Sequence, residues 1–237
     1  MWISGGVCVD QSLLDLPSLL YAGHRTHQMV SLVLRVDAAG HVHANLSGPP
    51  QYLVFDTETD GGSPKQRCIE LAFIVFDASF RELHRYSHYW RLPPGRRISW
   101  HSYNVHKITD ATVASQGVDP RGGLETFLAW VDRVLGNGGR IIAHNAAFDA
   151  KIINDALLMH DVPRHFSKEM CMCTMRASAP HAGCVTESGR RRAPKNAELY
   201  TILHGSSAED WATLHTALDD VRVTKCNFQG GQARGWW

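Results

Sequence analysis

The sequence predicts an α/β fold: a mixed sheet of three antiparallel strands followed by parallel ones, flanked by helices, with a small β extension at the N-terminus. Three observations predict it. Three β-rich apolar segments follow one another from Gln51 with short connections. Helix and strand patterns alternate after them. A Ser-Gly-Pro-Pro breaker at 47–50 separates this run from what precedes it.

Within residues 1–50, "SLVLRV" and "HVHANL" read as two strands around a "DAAG" turn, a β-hairpin added to the main unit. The main domain is expected over 51–229. It opens with the strands "YLVFDTET", "CIELAFIVFD" and "LHRYSHYWRL". Beyond "LPPGRR" the pattern becomes helical near 121–135, returns to a strand at "RIIAH", and is helical again near 147–160, 195–204 and 216–229. The last eight residues, 230–237, carry glycines that predict a flexible tail, although Trp236 and Trp237 are unusual on an exposed end.

With 237 residues, 44% of them hydrophobic, the chain can bury a sizeable core. No apolar run approaches the roughly 18 residues of a membrane span, and the N-terminus lacks the order of a secretory signal. The expectation is a soluble, cytoplasmic (intracellular) protein with no membrane partner. Six cysteines in a chain this long fit free thiols in a reducing compartment better than a disulfide framework. The formal net charge is only +1, so attraction to nucleic acid must come from a local patch or a bound metal.

The chemistry concentrates in acids. Asp56 and Glu58 leave the same face of a strand at its C-terminal end, where they either converge on one point or are merely solvated. Asp149 falls in the first turn of a helix, ahead of an inward stripe of Ile153 and Ala156, where it favours the helix dipole or meets a partner. Thr216 and Asp219 fit a capping box that starts a helix at Ala217. His215 is thereby left in the loop just before that helix, able to swing over the same site as Asp220. Four carboxylates, Asp56, Glu58, Asp149 and Asp220, are more negative charge than one cleft tolerates without hard divalent cations. Mg2+ or Mn2+ suits all-oxygen ligands. Two such ions about 4 Å apart would clamp an in-line phosphoryl displacement, with His215 as general base. Asp60 belongs to the turn into Gly61 and Gly62 rather than to this set.

These residues resemble the DEDD exonucleases, in the histidine-bearing (DEDDh) branch that includes the proofreading subunit of bacterial polymerases and RNase T. "FDTETDG" is similar to the first motif of that family, "AHNAAFD" to the second and "HTALDD" to the third, in the family's order. "YNVHKITDA", "CTMRAS" and "APKNAELYTILHG" resemble lesser family segments, and the match spans about residues 51–229. The resemblance implies a ribonuclease H-like fold, Asp56, Glu58, Asp149 and Asp220 as metal ligands, and His215 as the base. It also implies release of nucleoside monophosphates from the 3′ end of single-stranded DNA or RNA. Thr59 is expected at the terminal nucleotide, and Phe148 either beside it or in the core. Lys107 stands where the family usually has glycine, and Asn196 where it usually has leucine. The alternative is a nucleic-acid-binding or polymerase-associated proofreading subunit, suggested by residues 1–50 and the tryptophan tail. On either reading the expected protein partner is a second copy of the chain or a polymerase.

Arg190, Arg191 and Arg192 with Lys195 form the most basic run, which either grips substrate phosphates, chiefly through Arg191 and Lys195, or is solvated. Cys171, Cys173, His181 and Cys184 have a spacing that fits no common zinc pattern, so ordinary buried thiols are expected. His106 and His144 are assigned to local packing.

Overall fold

A computed structural model describes residues 19–22, 29–36, 42–62, 65–210, 212 and 215–237, with side chains for 48–62, 65–209, 212 and 215–237. In the first 47 residues, β1 (Leu19–Ala22), β2 (Met29–Val36) and β3 (Val42–Ser47) form an antiparallel sheet with β2 in the middle. β2 contains the first of the two segments read as a hairpin and β3 residues 42–46 of the second; the "DAAG" turn and His41 lie outside the described residues. β1 is an addition, since four residues are too few to show a period of two.

The main sheet has the order β6-β5-β4-β7-β8, built from β4 (Pro50–Thr59), β5 (Cys68–Asp77), β6 (Glu82–Tyr89), β7 (Arg140–Ala143) and β8 (Cys171–Cys173). β4, β5 and β6 run antiparallel, and β7 and β8 extend the sheet parallel to β4. The third strand ends at Tyr89 rather than at Leu92, because Trp90 forms a separate parallel bridge to Val118.

Helices α1 (Trp100–His106), α2 (Asp110–Gln116), α3 (Pro120–Gly136), α4 (Ala146–Met159), α5 (Thr174–Ser178), α6 (Asn196–His204) and α7 (Ala217–Ala233) complete the domain. Sequence periodicity finds α3, α4, α6 and α7 but not α1, α2 or α5, which have seven, seven and five residues. Elements that short do not display a helical repeat, and their caps are what define them. Ser99 and Thr109 accept from the backbone N–H of Ser102 and Thr112.

Alternation along the strands divides the core. Leu53, Phe55, Leu71, Phe73, Val75 and Ile141 pack under α3 and α4, whereas Val54, Ala72, Ile74, Phe76 and Ile142 face α7. Both faces of the sheet are therefore covered, and all ten residues of β5 are buried. Phe55 meets Phe127 and Phe166 at centroid distances of 5.1 and 5.5 Å. Each such buried ring contributes about 1.5–3 kcal/mol over an exposed one. This packing fixes the C-terminal end of β4 between helices on opposite faces.

The C-terminal residues do not form the flexible tail expected over 230–237. α7 continues through Gly230 and Gly231 to Ala233, and Trp237 Nε1 donates to the Phe228 carbonyl at 3.1 Å. A Cβ at Gly231 would fall 1.9 Å from the Trp237 ring, so glycine here makes the seat for the indole. Trp236 stacks on His181 with centroids 5.0 Å apart. The glycines serve close packing, not freedom.

Candidate active site

β4 ends in the acids, and alternation sends Asp56 and Glu58 out on the α7 side of the sheet. α7 begins at Ala217, with Thr216 as N-cap accepting from the Asp219 N–H, so Asp220 lies in its first turn. Asp56, Glu58 and Asp220 each present a carboxylate oxygen, and these atoms lie within 4.8 Å of one another. Asp149, in the first turn of α4, is 2% exposed. Its Oδ1 accepts from the Thr57 N–H at 3.1 Å and from Thr57 Oγ1 at 2.8 Å, which ties α4 to the strand between the two β4 acids.

A fifth acid joins them that motif reading passed over. Glu70 on β5 is the cross-strand partner of Glu58, and it is buried. Its Oε2 accepts from the Ala217 N–H at 3.2 Å, docking the start of α7 onto β5. A glutamate set among the apolar residues 68–76 of β5 was the available signal.

The electrostatic consequence is large. Burial, then repulsion from Asp149, Asp220, Glu58 and Glu70, holds Asp56 well above the usual carboxylate range. Burial, then Asp220, Glu70 and Asp149, pushes Glu58 up to about 9. Asp149 is raised to about 7 by burial, although its hydrogen bonds from Thr57 oppose the shift. Glu70 and Asp220 are raised as well, again mainly by burial. Among the described residues no lysine or arginine pairs with any of the five. Such a group of oxygens takes up either protons or cations.

Asp220 is held at both oxygens. Its Oδ2 accepts from the His215 backbone N–H at 2.8 Å, and its Oδ1 from Asn196 Nδ2 at 3.0 Å. His215 is exposed and sits at φ 67, an uncommon conformation for a residue with a side chain. It thus occupies the loop position just before α7 that the capping box implies. Nearby, the Ile108 N–H donates to His106 Nδ1 at 3.0 Å, which leaves Nε2–H to donate to the Thr59 carbonyl at 3.1 Å. Burial lowers the His106 pKa, and the charge of His215 adds to that effect, so the two rings are electrostatic neighbours.

Asp60 stays out of the cluster. Fully buried, it accepts from the N–H groups of Gly62 and Arg67 and pairs with Arg96, closing the turn after β4. Thr59 is buried, with Oγ1 3.5 Å from Gln66 Oε1. Phe148 is 38% exposed beside Asp149, which takes it out of the core. Arg191 and Lys195 are exposed on the segment leading into α6, and no described contact joins them to the acids. Arg192 is engaged by Glu198 through two 2.7 Å hydrogen bonds. It is Asn196, standing where the family usually has leucine, that reaches Asp220. His144 is neutral, lowered to about 4 by burial, and bridges Thr174 Oγ1 and the Pro194 carbonyl. Cys171, Cys173, His181 and Cys184 do not converge, and the five described cysteines are free thiols.

An exonuclease family model, RNase T, matches residues 53–226. Exonuclease I from Methylocaldum szegediense aligns with a TM-score of 0.60 at 17% identity, covering 78% of this chain and 40% of that one. E. coli exonuclease I in complex with a 5cy-dT13 oligonucleotide aligns at 0.61 and 14% identity, covering 78% and 41%. The same enzyme in complex with a dA16 oligonucleotide aligns at 0.59 and 14%, covering 77% and 41%. At these identities the likeness is one of fold, the ribonuclease H-like architecture. The chain spans about 40% of the length of the exonuclease I chains it matches. No curated protein matches it. No helix among the described residues is long and apolar enough to cross a membrane.

Proposed function

Since the chain belongs to the RNase T family of exonucleases, we propose that it is a 3′–5′ exonuclease that hydrolyses DNA or RNA from the 3′ end. It releases nucleoside 5′-monophosphates with the help of two Mg2+ or Mn2+ ions. The observation that carries this reading is the convergence of Asp56, Glu58 and Asp220 within 4.8 Å, with Asp149 adjacent. The donor set fits the ions: all ligand atoms are carboxylate oxygens, hard donors whose mutual repulsion a divalent cation relieves. When bound, the ions supply Lewis-acid stabilisation of the charge that develops on the phosphoryl oxygens, and they acidify the attacking water.

The chain's own residues do the rest. Asp56, Glu58, Asp149 and Asp220 hold the ions; Thr57 orients Asp149; and Asn196 with the His215 N–H orients Asp220. Glu70 keeps the start of α7 against β5, which sets the position of the loop carrying His215. His215 accepts the proton of the attacking water on an imidazole nitrogen, its exposed ring being free to approach the substrate. Thr59 and Phe148 border the terminal nucleotide, and Arg191 and Lys195 contact phosphates further along the strand. The alternative of an accessory proofreading subunit loses one of its motives, because Trp236 and Trp237 pack on the chain itself. Incubating 5′-labelled single-stranded DNA and RNA in parallel with Mg2+ tests the proposal. A descending ladder is expected on at least one of them, and intact strands from metal-loaded, folded protein would count against it.

A further inference from the structure

Trp100, at the start of α1, is 75% exposed, more than any other large apolar side chain described. It is not simply loose on the surface. Its ring stacks with Tyr103 at a centroid distance of 5.8 Å and an interplanar angle of 29°. The Lys107 ammonium lies 5.5 Å from the centroid of the Tyr103 ring. Positions 100, 103 and 107 recur at helical spacing, so the two rings and the cation form one stripe.

The opposite obligations of α1 fix that stripe in place. Ser102 and His106 are buried; His106 Nε2–H donates to the Thr59 carbonyl, and the Ser99 N–H donates to the Asp60 carbonyl at 2.8 Å. A Cβ at Gly61 would lie 2.2 Å from Ser102 Oγ, so the helix and the turn after β4 touch without a gap. Seven residues of helix extend about 10 Å. All of α1 therefore lies near the strand end that carries Asp56 and Glu58, and His106 is an electrostatic neighbour of His215.

A large exposed aromatic surface on a rigid helix calls for a ligand with a flat face. The cation above Tyr103, together with exposed His101 and Asn104 on the same helix, favours a polyanion over an apolar protein segment. Unpaired bases joined by phosphates meet both requirements, since every base offers a π-face and duplex bases have theirs covered. We propose that Trp100 and Tyr103 form a stacking platform for bases of the single strand leading into the carboxylate site, with Lys107 beside a backbone phosphate. The platform rests on the exonuclease reading above.

Fluorescence anisotropy with the full chain in Ca2+ tests it, using a labelled single-stranded oligonucleotide and an abasic strand of equal length and charge. Trp100→Ala is expected to weaken binding of the base-bearing strand by about tenfold. Trp100→Phe should restore most of that loss, and the abasic strand should bind the three proteins alike. Lys107→Ala should lower the slope of log affinity against log salt by about one on both strands. Equal affinity of Trp100→Ala and the parent protein for the base-bearing strand would overturn the platform and leave the stripe to a protein partner. An equal loss on the abasic strand would overturn it too, by assigning the effect to folding. Cleavage of the same strand by the parent protein reports separately: cleavage with unchanged Trp100→Ala binding sinks the platform alone, whereas neither binding nor cleavage sinks the exonuclease reading with it.

Discussion

Replacing Asn196 by leucine, the residue its family usually has at that place, should separate the metal site from the fold that carries it. The amide donates to Asp220 Oδ1 at 3.0 Å and to the Asp220 carbonyl at 3.1 Å. Its own Oδ1 accepts from Thr224 Oγ1 at 3.2 Å and from Asn227 Nδ2 at 2.9 Å. Thr224 and Asn227 are fully buried, so leucine leaves their donors short of an acceptor. Each buried donor left unpaired costs about 1–3 kcal/mol. Asn227 keeps its bond to the Asn196 carbonyl, which puts the sum near the lower end, at about 2–3 kcal/mol. In a chain of this length that lowers the metal-free Tm by roughly 4–12 °C. Loss of a hydrogen bond behind a ligand weakens metal binding by about 10–100-fold. Because ligand stabilisation follows the logarithm of concentration over Kd, even a tenfold loss removes about 1.4 kcal/mol of metal-induced stability. Thermal melts with and without Mn2+, together with calorimetric titration, read both quantities. An unchanged Mn2+ affinity and an undiminished Mn2+-induced rise in Tm would refute the positioning role, whatever happens to the metal-free Tm.

In metal-free protein the raised carboxylates set a pH dependence with a definite sign. The folded state keeps Asp149 and Glu58 protonated up to about 7 and about 9, so stability is fully present below their unfolded values and is lost as pH rises through these two. Tm measured without metal should fall between pH 5 and pH 9, and the rise on adding Mg2+ should grow with pH; a flat profile would contradict the burial of charge. Gly61→Ala places a Cβ 2.2 Å from Ser102 Oγ at φ +64 and should cost more than about 1 kcal/mol, seen as a lower denaturant midpoint. Trp237→Ala uncovers Gly231 and Phe228 and should cost about 2–4 kcal/mol in the same assay, whereas an unaffected midpoint would mean that the indole is not docked in solution. His215→Ala should lower kcat at least 100-fold while leaving Mn2+ affinity within a factor of a few.

What could be read from the chain and what could not divide along physical lines. β4 and β5 are visible because ten-residue, largely apolar runs leave a dense signal, β7 because the short apolar "RIIA" stands between two helical patterns, and α3, α4, α6 and α7 because they exceed two turns. The start of α7 was legible from the Thr216–Asp219 capping box, and with it the loop position of His215. α1, α2, α5 and β8 are too short for any period to register. Glu70 and Asn196 were missed for another reason: their partners, Ala217 and Asp220, lie 147 and 24 residues away, and only the packed fold brings them together. Likewise the two glycines in α7 read as freedom until the Trp237 ring is seen lying against Gly231. The turn role of Asp60 was legible, but not its burial against Arg96.

Anomalous diffraction from crystals soaked in Mn2+ tests the central claim most directly, that Asp56, Glu58, Asp149 and Asp220 form a divalent-cation site. Two peaks about 4 Å apart among those carboxylates are expected. Density at neither position in a folded crystal at neutral pH, or manganese bound only elsewhere, would contradict it.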